Sequence, residues 1–310
     1  METMKAFVRK NARNDDVELE NVAIPSIDKG EVLVKIQAFG VGVHDRYFTP
    51  PDVRFPYPIG IEGSGIVTKT GSDVSGLQEG DRVILSASMQ QKGGSWAEYA
   101  TVSSEMVVPF LEEIDFLQAA ALPVAGKTAV ESMESLDLKQ GDTLFVAGAS
   151  GAIGTLLIQL ANKQGIRVIG SASAKNHEYM LSLGAEETVD YSNPQWKDNV
   201  TAWVSGGVDA ALAIQPGTTR DSIDVVKEGG KVITVSDDSV ETERNVTVHQ
   251  LQHKLSFPYA INVLVKAILA GDIRPVLENV YEFKQALDAL KKTETRHARG
   301  KLVVSAMRNC

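Results

Sequence analysis

Residues 144–165 read LFVAGASGAIGTLLIQLANKQG. Leu144–Ala147 is a short apolar run, and Gly148, Ala149, Ser150 and Gly151 form a cluster of small residues after it. Ile153, Leu156, Leu157 and Leu160 then recur at helical spacing, and Gly165 closes the segment. That order predicts strand, tight turn and helix. Gly148 would permit the turn, Gly151 would let main-chain N–H groups approach a pyrophosphate, and Gly154 would let the helix pack against its strand. The helix N-terminus adds unpaired N–H donors and the positive end of a dipole. The phosphate-binding candidates are therefore Gly148, Ser150, Gly151, Ala152, Ile153 and Gly154. On the glycines alone an ordinary βα turn in some α/β domain is the competing reading. The apolar stretch Arg167–Gly170 downstream supplies the second strand, and so the β-turn-α-β setting that the motif requires.

Outward from this unit, strand candidates at 143–147, 167–171, 187–190, 208–213 and 231–235 alternate with helical segments. The alternation predicts a parallel sheet with helices on both faces. Upstream of residue 111 the text is β-rich. Met4–Arg9, the alternating Glu31–Gly40, Gly60–Thr68, the segment Leu77–Ile84 with its turn at Gly80 and Asp81, and Gly93–Thr101 read as short strands. Glycines and the prolines at 50, 51, 56 and 58 punctuate them, which suggests a barrel-like fold. Phe116–Leu122 and Gly126–Leu136 read as helices. Beyond residue 255, Ile261–Ala270 and Phe283–Lys292 are helical in pattern and Gly300–Ser305 is a last strand.

The chain has 310 residues, enough for two domains of ordinary size. Its net charge of −9 argues against a nucleic-acid binder. The one cysteine, Cys310, excludes a disulfide within the chain and fits a reducing compartment. The first ten residues contain no apolar signal-peptide core, and no stretch has the length and apolarity of a membrane span. A cytoplasmic protein is expected.

Six segments in order, PIGIEGSGIV, VSGLQEGDRV, AALPVAGKTAV, VAGASGAIG, SLGAEETVDY and ARGKLVV, resemble the zinc-independent medium-chain dehydrogenase/reductase superfamily in its quinone oxidoreductase branch. The resemblance runs over nearly the whole chain. It implies an α/β plus β architecture, with a Rossmann-type doubly wound sheet inserted into a GroES-like β-barrel catalytic domain. The expected division is 1–122 and 257–310 for the catalytic domain and 123–256 for the dinucleotide-binding domain. Zinc-dependent relatives carry a Gly-His-Glu triplet where this chain has Gly60-Ile61-Glu62. Their two catalytic cysteines would fall near Gly42 and Val124, and their structural zinc needs four cysteines. No metal site is expected, and Glu62 then needs a buried ion pair or a hydrogen bond instead. Without a Lewis acid, hydride delivery to an already electron-poor carbon is the easier reaction. Quinones and α,β-unsaturated carbonyls, small hydrophobic electrophiles, are the expected substrates.

About 20 residues past the glycine turn, NAD sites place an acid for the ribose 2′-hydroxyl. Here the second strand ends in Ser171, Ala172, Ser173, Ala174, Lys175 and Asn176, with no acid. Hydroxyls and a lysine suit a 2′-phosphate, so NADPH is expected, with Ser171, Ser173 and Lys175 as its ligands. The other reading leaves the serines filling a turn and the lysine solvated. The resemblance adds Tyr191 beside the adenosine phosphate, Thr128 near the carboxamide or as a helix cap, Ser236 after a later strand, and Arg299 (or Arg296) near the last strand. In VGVHDRYF it places Asp45 and Tyr47 in the nicotinamide pocket as catalytic candidates. Tyr47 would donate a hydrogen bond to the substrate carbonyl, and Asp45 would orient Tyr47 or a water; a turn residue and a packed aromatic are the competing readings. Tyr57, Trp96 and Phe257 are possible pocket walls, with Trp96 better suited to the core. Two further functions stand beside the quinone or enone reductase: a 2-enoyl thioester reductase, and a non-catalytic NADPH-binding protein. A homodimer is expected, joined through a sheet edge near Lys231–Val235.

Overall fold

A sheet of six strands, all paired in parallel, carries the glycine turn. Its spatial order is Glu187–Val189, Arg167–Ser171, Thr143–Ala147, Val208–Ala213, Val226–Thr234 and Thr247–Gln250. Numbered along the chain this is 3-2-1-4-5-6, the doubly wound order in which ligands bind at the carboxyl ends of the strands where the order reverses. The computed structural model describes residues 2–307 apart from 14, 15, 237, 239 and 243, so Cys310 lies outside the described residues. The chain divides into two compact units: Met1–Val124, Ser256–Leu269 and Leu277–Cys310 form the first, and Ala125–Leu255 with Ala270–Val276 forms the second.

In the second unit all five residues of Thr143–Ala147 are buried, as a central parallel strand covered on both faces requires. Phe145 stacks on Trp196 at 5.3 Å within a core that includes Ile169, Ala211 and Val232. Residues 270–276 belong to this unit, although the sequence places them with the C-terminal part of the other. The reason is local: Gln159 Nε2 donates to Arg274 O at 3.0 Å, Arg274 N donates back to Gln159 Oε1 at 2.9 Å, and Lys163 pairs with Asp272. The expected edge strand is also corrected. Val226–Thr234 is flanked on both sides, because Thr247–Gln250 pairs with it in parallel and becomes the edge.

The first unit is built on the long strand Glu31–Val41, which pairs with Glu62–Thr70, with Tyr99–Ser103 and with Lys301–Ser305, all antiparallel. Its core joins Phe7, Phe39, Val34, Leu85 and Leu302, and Trp96 sits fully inside it, stacked on Phe39 at 5.2 Å. The same seven-stranded sheet also takes in Arg82–Ser86, Val107–Pro109 and Leu277–Glu282, and a second, three-stranded sheet is formed by Val17–Ala23, Thr3–Arg9 and Tyr57–Pro58. The C-terminal segments read as helices are Phe257–Leu269 and Ala286–Glu294, the latter preceded by a 3-10 turn at Phe283–Gln285.

Candidate active site

The glycine turn lies in the second unit. Gly148 follows Thr143–Ala147 with φ of +86°, the left-handed region that only glycine enters without strain, and its N–H donates to Ser171 O at 3.2 Å. The helix Ala152–Lys163 then starts at Gly151, which offers no side-chain cap, so the first N–H groups of the helix are left to whatever approaches. A Cβ on Gly154 would lie 2.5 Å from Ala149 Cα and O, which shows how closely the helix packs on the turn. A Cβ on Gly151 would meet only Gly148 O, at 3.5 Å. The helix thus packs tightly on the turn at Gly154, while Gly151 has room for a methyl group.

Asn176, which the sequence reading left aside, ties this turn to the end of the second strand. Its amide donates to Ser150 Oγ at 3.2 Å and to Ser173 Oγ at 3.3 Å. Ser150 and Ser173 are therefore brought together with Asn176, Ser171 is buried beside them, and Lys175 is exposed. The acid at this rim is Asp190, whose oxygens accept from Ser192 N at 2.9 Å, Ser192 Oγ at 2.7 Å and Ala174 N at 3.3 Å. The Ser192 main-chain hydrogen bond, then its hydroxyl, holds the Asp190 carboxyl below the usual carboxylate range. Tyr191 follows, half of it exposed. Ser236 lies just past Val226–Thr234, its main-chain oxygen accepting from Thr234 Oγ1 at 2.6 Å. Thr128 is inside the helix Pro123–Leu136 rather than at its start, so capping is not its role. Its side chain is buried, and its carbonyl accepts from Ser132 Oγ at 2.8 Å.

The first unit holds a buried polar cluster at neighbouring strand ends. Asp45 is 2% exposed. Its Oδ2 accepts from Gly42 N at 2.6 Å and its Oδ1 from Ile61 N at 2.9 Å. Both oxygens are thus engaged by main chain, and the carboxylate closes the loop that carries Tyr47. Burial raises the Asp45 pKa to about 7, with nearby Lys301 pulling it down and Glu62 pushing it up. Glu62 has the buried ion pair that its position called for: its Oε1 meets Lys301 Nζ and its Oε2 accepts from Val124 N at 2.8 Å. The two side chains are only 2% and 7% exposed. A buried pair of this kind contributes little net stability, but removing one partner costs about 3–5 kcal/mol.

Gly40 makes room for this pair, since a Cβ there would lie 2.6 Å from Glu62 Oε1 and 2.8 Å from Ala120 O. Tyr47 is 54% exposed, on the turn that follows Gly42. His44 is pushed below the usual imidazole pKa, by burial first and by the positive charge of Arg296 second. Arg299 is exposed just before Lys301–Ser305. Trp96 is core, Phe257 is buried at the start of its helix, and the Tyr57 hydroxyl donates to Gln90 O at 2.7 Å. Among the described residues no three His, Cys, Asp or Glu side chains are grouped to hold a metal ion, and no helix is long and apolar enough to cross a membrane.

With this geometry in hand, comparison with known proteins is direct. Residues 28–112 match the model of the alcohol dehydrogenase GroES-like domain, and residues 183–304 match a model described as zinc-binding dehydrogenase. The chain is 31% identical to the chloroplastic NADPH-dependent alkenal/one oxidoreductase of Arabidopsis thaliana, over 97% of this chain and 79% of that protein. It is 28% identical to the quinone oxidoreductase of Sus scrofa, over 92% of each chain. The structure of the quinone oxidoreductase from Coxiella burnetii superposes with a TM-score of 0.88 at 28% identity, covering 99% of this chain and 100% of that one.

Proposed function

The chain belongs to the medium-chain dehydrogenase/reductase superfamily, in its quinone oxidoreductase branch, and from that premise we propose that this oxidoreductase uses NADPH to reduce quinones or α,β-unsaturated carbonyls. When bound, the dinucleotide supplies the hydride, and the protein's part is binding and orientation. Gly148–Gly154 and the uncapped start of the helix Ala152–Lys163 hold the pyrophosphate. Ser171, Ser173, Lys175 and Asn176 hold the 2′-phosphate, two of them already linked to Ser150 through the Asn176 amide. Tyr191, Thr128, Ser236 and Arg299 are proposed as further cofactor contacts. Tyr47 donates a hydrogen bond to the substrate oxygen as negative charge develops there.

The residues present do not fit a catalytic zinc. Gly42, Ile61 and Val124 offer no ligating side chain, and the Lys301 ammonium already stands against Glu62. The proposed reaction requires no Lewis acid, because conjugation within the substrate accepts the charge. A reducing compartment such as the cytoplasm suits a chain with one cysteine. A homodimer is proposed as well, the open edge of Thr247–Gln250 offering main-chain groups to a second copy.

The observation that carries the cofactor choice is the end of the second strand. It has hydroxyls, an amide and an exposed lysine in place of the ribose-binding acid. The test is NADPH and NADH oxidation measured with 9,10-phenanthrenequinone, with a simple enone and with crotonyl thioester. NADPH turnover of the quinone or the enone, about tenfold or more above NADH, is the expected result for charge-assisted recognition of the extra phosphate. A preference for NADH would overturn the cofactor assignment, and turnover of the thioester alone would overturn the substrate assignment. Tight NADPH binding with no turnover would make the protein a non-catalytic binder.

A further inference from the structure

We propose that Lys301 is a positioning residue for this reduction: its buried ammonium, paired with Glu62 and set beside Asp45, holds the 42–48 loop that presents Tyr47. The proposal rests on the reductase reading for Tyr47's role, but its structural half stands apart from that reading. The strand register brings the groups together. Leu302 is opposite Val41 in one antiparallel pair and Phe39 is opposite Gly63 in the next, so Lys301, Gly42, Gly40 and Glu62 fall at one end of three adjacent strands. Gly40 and Gly42 carry no side chains, and this leaves the space that the two charged side chains use. A Cβ on Gly42 would lie 3.6 Å from Asp45 Oδ2 and 3.9 Å from Lys301 Nζ, so carboxylate and ammonium converge on the first residue of the loop.

Two carboxylates and one ammonium share this buried volume. Glu62 takes one of the three donors of Lys301 and the main-chain N–H of Val124. Asp45 takes the N–H groups of Gly42 and Ile61, and these two bonds pin the loop's start to the strand beginning at Glu62. A carboxylate accepts well from two amides only while it is ionised, and in a buried site ionisation depends on a nearby cation. Lys301 is that cation. Without it Asp45 takes up a proton, which spares the fold as a whole the cost of a buried charge but turns one of its oxygens into a donor facing a main-chain N–H, so the loop loses a local anchor. Tyr47, exposed two residues further on, then samples more positions.

The experiment compares the wild-type chain with Lys301→Met and with Glu62→Gln/Lys301→Met, the second removing both partners of the pair so that Glu62 is not left as a lone buried charge and Asp45, the remaining carboxyl, can be neutral. Amide hydrogen exchange over residues 42–48 is read first, because it needs no activity. The expected result in both variants is exchange about tenfold faster over that segment, with the Thr143–Ala147 strand and the NADPH dissociation constant unchanged. In the assay with 9,10-phenanthrenequinone, kcat is expected to fall about tenfold or more while KM for NADPH holds, as for a group that is misplaced rather than lost. Lys301→Ala gives a rescue arm: ethylammonium, which restores a cation in the space left, is expected to recover both loop protection and kcat. Wild-type exchange over 42–48 in the double variant, or ethylammonium without effect on Lys301→Ala, overturns the proposal. A wild-type protein with no turnover overturns only the reductase reading, since the exchange measurement still decides whether Lys301 holds the loop.

Discussion

Replacing Gly154 by alanine separates packing from binding in the glycine turn. The new Cβ would lie 2.5 Å from Ala149 Cα and O, about 0.9 Å inside the 3.4 Å at which ordinary contact begins. Those atoms are main chain, so no side-chain rotation relieves the overlap and the helix Ala152–Lys163 must back away from the turn. Overpacking of this kind costs about 1–3 kcal/mol. Alanine returns at most about 1 kcal/mol of helix propensity. With an overlap this deep the cost falls in the upper part of that range, the net loss is about 1–2 kcal/mol, and Tm falls by about 1.5–3 °C in a chain of this size. The same retreat draws the helix N-terminus away from a bound pyrophosphate, and NADPH affinity should fall about 10–100-fold as charge-assisted bonds lengthen. Gly151→Ala is the companion. Its Cβ would meet only Gly148 O at 3.5 Å, so the fold loses no more than about 1 kcal/mol, mostly from a poorer cap. NADPH binding should still weaken, because the methyl enters the space left for phosphate. Thermal unfolding and fluorescence titration with NADPH check both variants. An unchanged Tm for Gly154→Ala, or undiminished NADPH affinity for Gly151→Ala, would refute the assignment of roles within the turn.

Three further outcomes follow from the same geometry. Lys175→Glu should lower the preference for NADPH over NADH about tenfold by setting like charge against the 2′-phosphate, read from the two dissociation constants; an unaltered ratio would detach Lys175 from the phosphate. Asp45 has a folded pKa of about 7, raised above its ordinary 3.8, so its favourable contribution is fully present below the lower value and is lost as pH rises toward the upper one. Urea midpoints of the wild type should therefore fall between about pH 4 and pH 7 relative to those of Asp45→Asn, and a pH-independent difference between the two would contradict this. Gln159→Leu leaves Arg274 N and O without their partner and should cost about 1–3 kcal/mol, with proteolysis over 270–276 accelerated; limited digestion at an unchanged rate would show the segment to be held by Lys163 and Asp272 instead.

Much of the fold is legible in the chain because its signals are periodic. Thr143–Ala147, Arg167–Ser171 and Val208–Ala213 are apolar runs set between turn residues, and their boundaries follow from that pattern. Strands lacking it escape notice. Val17–Ala23 is VELENVA and Thr247–Gln250 is TVHQ, each at a sheet edge and largely exposed, where no apolar alternation is demanded. Missing the second of these shifted the expected sheet edge inward to 231–235. In the site, the glycines and Ser150 announce themselves because each needs a particular backbone or donor. Asn176 and Lys301 do not: one resembles a turn residue and the other a solvated lysine opening a strand. Only the placement of Asn176 between two serines, and the register that sets Lys301 near Gly42 and Glu62, gives them roles.

The same register accounts for Glu62 in a chain without the zinc-binding triplet's histidine. A buried carboxylate is tolerable only with a cation or a full set of donors. Gly42, Ile61 and Val124 offer no ligating side chain, and Lys301 supplies the positive charge beside Glu62. The ammonium needs the glycines: a side chain at Gly40 would collide with Glu62, and one at Gly42 would begin at the rim of the Asp45 and Lys301 cluster. Gly40, Gly42, Glu62 and Lys301 therefore form one unit of charge and space. A change at any one of them reaches the loop carrying Tyr47 through Asp45, whose main-chain partners Gly42 and Ile61 lie on two different strand ends. That linkage makes the cluster a frame for the reducing site, with its effect on chemistry exerted through the position of a tyrosine it does not touch.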